Sequence, residues 1–178
     1  MKWIFAALFT ASAAAAETCP PVPNHAEALS DIVSQFKSST PLQSRSLSAQ
    51  LWALWTDAPD EKAQELLDEG MRLISVADFA GSKEVLDELV AYCPDYAEGY
   101  NQRAFAQFLA RDYEAALVDL DRAIEILPNH IAAISGRGLT LLGMGRRAEG
   151  EDAIRDALKL NPWLSERRYL TEPDGIDI

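Results

Sequence analysis

The chain has 178 residues, with 28 Asp and Glu against 16 Lys and Arg for a formal net charge of -12, and it is 48% hydrophobic and 25% charged. That balance suits a globular chain with one real core and excludes a disordered or collagen-like polymer. The acidic excess excludes nucleic acid as a partner, because such binding rests on Lys and Arg displacing counterions, and it opposes adsorption to anionic lipid.

In chain order, residues 1–16 read as a secretory signal peptide. Lys2 supplies the positive start, residues 3–10 are apolar, and a run of small residues ends in Ala14-Ala15-Ala16. The apolar run is too short to span a membrane, so cleavage is expected after Ala16, with no membrane insertion afterwards. Glu17-Thr18 before Cys19 does not suit lipid attachment. The destination is an oxidising compartment. It is read as the bacterial periplasm, since the chain has no N-x-S/T glycosylation acceptor.

Residues 24–37 and 45–56 have helical periodicity and flank a polar connection containing Pro41. They are expected to form a helical hairpin within an N-terminal segment of residues 17–62. In this arrangement Trp52 and Trp55 face inward and the hairpin covers the exposed end of the array that follows.

That array is announced by a repeat. Pro94, Pro128 and Pro162 stand 34 residues apart, and a fixed period is the signature of stacked supersecondary units. Aligned on these prolines, residues 63–96, 97–130 and 131–164 each carry two apolar-periodic stretches around a short turn. Gly70, Ala104 and Gly138 share the eighth position and Ser82, Ala116 and Gly150 the twentieth, where large side chains would hold helices apart. Leu86, Leu120 and Ile154 at the twenty-fourth position, and Leu89, Ala123 and Ala157 at the twenty-seventh, form the core seam.

With these residues in view, the sequence resembles the tetratricopeptide repeat (TPR) family, whose unit has this length, these small positions and a proline at position thirty-two. The best copy runs from Ala97 through Tyr100 and Ala104 to Tyr113, Ala116, Leu120, Ala123 and Pro128. Leu66 and Ile134 replace the family's aromatic at position four, and Gln107 the one at position eleven. The resemblance implies an all-α, right-handed α-solenoid of three repeats, with the degenerate hairpin before them and a short capping helix within residues 165–178, followed by an acidic tail.

Helix starts are marked by Asp78, Asp112 and Asn129 as caps, by an Asp95-x-x-Glu98 capping box, and by Pro59 with Asp60-Glu61, which puts acidic charge at the positive end of a helix running to about Ser75. Cys19 and Cys93 are expected to pair, closing a long loop; a redox pair or two free thiols are the alternatives. His25 and His130 are the only neutral-pH bases, and neither sits in a catalytic constellation. Asp119 and Asp121 are expected on solvated faces. Gly138-x4-Gly143 imitates a phosphate loop, but Met144-Gly145 stands where Lys and Ser or Thr are required, so the glycines are assigned to packing and a turn. No metal-ligand spacing occurs, and neither metal nor cofactor is expected.

The resemblance further implies a concave groove lined by the first helix of each repeat: Leu67, Met71 and Ile74, then Glu98, Asn101, Gln102, Phe105 and Phe108, then Ser135, Leu139 and Leu142. The family subtype that clamps a terminal carboxylate with Lys, Arg and Asn has its counterparts here in Leu67, Met71, Gln102, Ala132 and Gly136, so that clamp is not expected. The resulting expectation is a non-enzymatic periplasmic adaptor that holds a protein or peptide segment in this groove. Self-association and a small redox factor are the alternatives.

Overall fold

The computed structural model describes residues 18–171. The expected signal segment, and the tail beyond Thr171, lie outside them. The described residues are all-helical, in eight α-helices: α1 (Ala26–Gln35), α2 (Pro41–Trp55), α3 (Glu61–Ser75), α4 (Phe79–Tyr92), α5 (Ala97–Leu109), α6 (Tyr113–Ile126), α7 (Ile131–Gly143) and α8 (Arg147–Leu160). Short 3-10 turns follow α1 (Phe36–Ser38) and α8 (Ser165–Tyr169). Helices α3 to α8 pack in consecutive pairs, and each pair lies against the next.

The small residues make close pairing possible. A Cβ placed on Gly70 would come within 2.6 Å of Leu86, and one on Gly138 within 2.6 Å of Ile154. Ser82 donates from its hydroxyl to the Gly70 carbonyl at 2.9 Å, using the space that a larger residue would fill. Leu67, Leu86 and Leu89 form the core of the first pair with Cys93 and Tyr96, while Ala104, Ala116, Leu120, Ala123 and Ala133 form that of the second. The turn inside each pair puts its fifteenth residue in the left-handed region: Ala77 (φ 62), Arg111 (φ 64) and Gly145 (φ 76).

Side-chain capping follows the sequence at Asp78 and Asp112, whose carboxylates accept the N-H of Gly81 and Ala115, and Asp60, expected to supply charge at the start of α3, also caps it by accepting from the Ala63 N-H. Two expected caps differ. The cap of α7 is His130, not Asn129: its Nδ1 accepts from the Ala133 N-H at 3.2 Å. The Asp95–Glu98 box does not form, because Glu98 turns inward to Asn101 and Gln102 on α5 and to His130 at the cap of α7, and α5 starts without a side-chain cap.

Bridges tie successive pairs together. Arg103 grips Asp119 with two bonds of 2.7 and 2.6 Å and reaches Asp87 at 2.8 Å. One repeat later, Arg137 meets Asp121 at 2.6 Å. Asp119 is therefore buried and paired rather than solvated, while Asp121 stays exposed. Burial opposes ionisation of Asp87, yet hydrogen bonds from Lys83 and Arg103 outweigh it and hold the carboxyl below its usual range.

The N-terminal hairpin forms, but its position differs from the expectation. Its buried side chains Ile32, Phe36, Leu47, Leu51 and Trp55 pack with Ile131, and Leu127, Ala132, Leu160 and Leu164 close around them. The hairpin thus lies against the third repeat instead of covering α3. The reason is in α3 itself, which turns Glu61, Lys62, Glu65, Asp68 and Arg72 outward and needs no apolar cover. The leading segment is fixed by a Cys19–Cys93 disulfide, which closes a loop of sequence separation 74.

Candidate binding cleft

Helix α2 is a serine-rich helix with a stripe at Leu47, Leu51 and Trp55, the i, i+4, i+8 spacing that puts apolar residues on one face. Its start carries a Thr40–Gln43 capping box with proline at the first helical position. Both ends of the helix are anchored to the repeats. Near its start, Ser44 Oγ meets Asn161 Oδ1 at 3.5 Å, and Trp163 Nε1 donates to Ser39 Oγ at 3.0 Å. At its end, the Trp55 carbonyl accepts from the Tyr96 hydroxyl at 2.7 Å, and the Trp55 ring stacks on His130 at 4.3 Å with a 15° tilt. Burial, with the negative charges of Glu98, Asp57 and Asp68, raises the Tyr96 hydroxyl far above the ordinary phenol range, so it remains a donor.

Under Trp55 lies a buried polar cluster. His130 Nε2 meets Glu98 Oε2 at 2.8 Å, and Glu98 Oε1 accepts from Asn101 Nδ2 at 3.1 Å and Gln102 Nε2 at 2.5 Å. Because His130 Nδ1 accepts a backbone N-H, the ring proton sits on Nε2 and points at Glu98. The imidazole is fully buried and both its nitrogens are engaged, which makes it a structural joint rather than a base offered to a substrate. His25 bonds Asp57 at 2.7 Å beside a second cavity of about 310 Å³, linking the start of α1 to the loop after α2.

Between α2 and the first helices of the second and third repeats is an apolar cleft of about 420 Å³. Leu51, Trp52 and Trp55 line it from α2, Asn101, Gln102, Phe105 and Phe108 from α5, and Ser135 and Leu139 from α7, with Asn161, Leu164 and Glu166 beyond α8. Trp52 is 44% and Phe105 47% exposed. The inward role expected of Trp52 is thus held by Trp55 alone.

Six of the eleven expected groove residues meet in this cleft: Asn101, Gln102, Phe105, Phe108, Ser135 and Leu139. Glu98 lies behind it, spent on His130. Leu67 is fully buried in the first repeat's core, where Ala58 and Tyr96 close over it, and Met71 and Ile74 pack on the same core. Leu142 stands against Gly150 within the third pair. The first repeat therefore contributes no wall. The α2 wall was invisible to a repeat alignment, because nothing in the 34-residue register places a hairpin from outside it; the Leu47–Leu51–Trp55 stripe was its only signal.

This architecture, consecutive helix pairs with a cleft lined by the first helices of the second and third repeats and by α2, defines a helical-repeat scaffold with the tetratricopeptide-repeat fold. The TPR domain of Sgt2 from Aspergillus fumigatus superposes with a TM-score of 0.60 at 18% identity, covering 68% of this chain and 91% of that one. The first TPR of RPAP3, bound to the HSP90 peptide SRMEEVD, gives 0.59 at 19% identity, covering 61% and 90%. In sequence, the chain is 27% identical over 136 residues to a TPR repeat-containing protein of Rhizobium etli, covering 76% of this chain and 62% of that protein. It is 33% identical over 106 residues to tetratricopeptide repeat protein 36 of Xenopus tropicalis, covering 59% and 52%. The chain spans less than two thirds of the length of either relative. No family model matches the sequence.

Proposed function

We propose that the protein is a non-catalytic adaptor of the bacterial periplasm that holds a segment of a partner protein in the cleft between α2 and helices α5 and α7, within an envelope assembly. The observation that carries this reading is the cleft itself, an apolar surface with Trp52 and Phe105 half in solvent. Apolar burial would drive binding, at roughly 25 cal/mol per Å² removed from water. The TPR domain of RPAP3 and the TPR2B domain of yeast Sti1, which share this fold, were each solved with a chaperone peptide. A terminal-carboxylate clamp is not the mode here. Leu67 is sealed in the core, Gln102 is committed to Glu98, and Ala132 and Gly136 bring no charge. Export through residues 1–16 is in keeping with the Cys19–Cys93 disulfide, which an oxidising compartment preserves.

The test is crosslinking and mass spectrometry of the affinity-tagged protein in its native envelope, beside a folded Phe105→Glu, Leu139→Glu variant. Partners lost in the variant support the adaptor; partners retained unchanged refute a role for the cleft. A second reading, self-association through the half-exposed Trp163 and Tyr169, predicts scattering mass that rises with protein concentration. No observation favours a redox factor, since Cys93 is buried and bonded.

A further inference from the structure

We propose that the segment held in the cleft is uncharged and apolar, and that it is clamped between Trp52 on α2 and the Phe105–Leu139 face of the repeats. The inference rests on the groove-binding reading above and names the chemistry of its partner.

The first argument is the placement of charge. In a chain of net charge -12, the three helices around the cleft hold only Arg45 on α2, Glu98 and Arg103 on α5, and Arg137 on α7. Arg45 is exposed outside the cleft. Glu98 is consumed by His130, Asn101 and Gln102, Arg103 by Asp87 and Asp119, and Arg137 by Asp121. Of the cleft's lining, only Glu166 at one end keeps a charge. An acidic segment would approach against the field of the whole molecule. A basic one would give up water for an apolar wall that offers a single carboxylate. A neutral segment meets neither cost.

The second argument is size. The volume of about 420 Å³ lies at the small end of the roughly 300–1,000 Å³ typical of ligand cavities, which fits a few apolar side chains rather than a whole helix. Trp52 stands outside the repeats, so the α2 wall selects what enters.

The experiment uses the disulfide-bonded protein and three dye-labelled pools of ten-residue peptides, one neutral and apolar, one with Asp and Glu introduced, one with Lys and Arg introduced, read by fluorescence polarisation. The neutral pool is expected to bind at least tenfold tighter than the others, to weaken about tenfold with Trp52→Ala, and to lose binding with Leu139→Glu. Thermal melts check that both variants are folded, and Phe105→Ala replaces Leu139→Glu if the latter is not. A charged pool that binds as well or better, and is lost with Leu139→Glu, overturns this inference and leaves the groove reading standing. Neutral binding indifferent to Trp52→Ala overturns the clamp. No binding by any pool, or binding that ignores every variant, overturns the groove reading itself.

Discussion

The repeats and the N-terminal hairpin are both pairs of helices, yet they are held by different means. Within the repeats, glycine, alanine and serine at the eighth and twentieth positions let backbones approach until a Cβ on Gly150 would lie 2.9 Å from the Gly138 carbonyl. The hairpin has no such register. It is held by one apolar face packed on Ile131 and Leu164, and by a few long-range anchors: stacking at Trp55, hydrogen bonds at either end of α2 and, ahead of α1, the disulfide at Cys19. Packing that recurs with a period is insensitive to any single long-range contact, whereas the hairpin rests on one non-repeating apolar patch and a few anchors. The two regions should therefore fail separately.

The largest effect is expected from Cys19→Ser with Cys93→Ser. Opening a loop of sequence separation 74 removes about 4 kcal/mol in the chain-entropy account. The melting temperature of the double variant should fall well below that of the wild type, and amide exchange should speed up in α1 and α2 more than in α5 to α8. Uniform acceleration across all eight helices would show that hairpin and repeats form one cooperative unit.

Next comes the joint under α2. Glu98→Ala leaves the His130 Nε2-H and the Asn101 and Gln102 amides, all buried, without their acceptor. An unsatisfied buried donor costs about 1–3 kcal/mol, so a loss at the upper end of that range is expected in denaturant unfolding. Trp55, stacked on His130, should report it through an altered emission spectrum. Glu98→Gln keeps an acceptor for the ring and should recover part of the loss.

On the repeat side, Ala116→Leu tests the close approach. Ala116 is fully buried at the position where Ser82 and Gly150 stand in the neighbouring repeats, and overpacking such a site costs about 1–3 kcal/mol. The melt should fall with exchange in α1 and α2 least affected. An unchanged melting temperature would mean that α5 and α6 are not in the register described.

What could be read from the sequence divides along the same line. Pro94, Pro128 and Pro162, with the small residues between them, place six helices, because steric demand at close approach repeats with the backbone. The caps at Asp78 and Asp112 and the acidic start of α3 at Asp60 are also local and legible. Glu98 was misread because a capping box is a local pattern, while its real partner, His130, is 32 residues away. Leu67, Asn101 and Ser135 share one repeat position, yet only the last two reach the cleft; what decides is the Ala58 loop and Tyr96 folding over Leu67, and no register encodes that. Trp52 and Trp55 are three residues apart on one helix and both line the cleft, and that one is half-exposed and the other buried depends on where the hairpin lands.

The smallest expected effect lies in the turns, and it separates the two regions most finely. The fifteenth residue of each repeat is left-handed, but only the third repeat has glycine there. An L-residue in that region costs roughly 1–2 kcal/mol, against which glycine loses about 0.5–1 kcal/mol of extra chain freedom on folding. Ala77 and Arg111 are both exposed, so replacing them removes little packing. Ala77→Gly and Arg111→Gly should each therefore gain about 0.5 kcal/mol on that difference, and Gly145→Ala should lose about as much. At about 2–4 °C per kcal/mol for a domain of this size, each change moves the melt by one or two degrees, resolvable by calorimetry and additive if the turns are independent. The hairpin offers no matching site: Ser39 and Thr40, which join its helices, have φ of -81 and -84. Glycine at Ser39 should bring no such gain, because there is no left-handed strain to relieve.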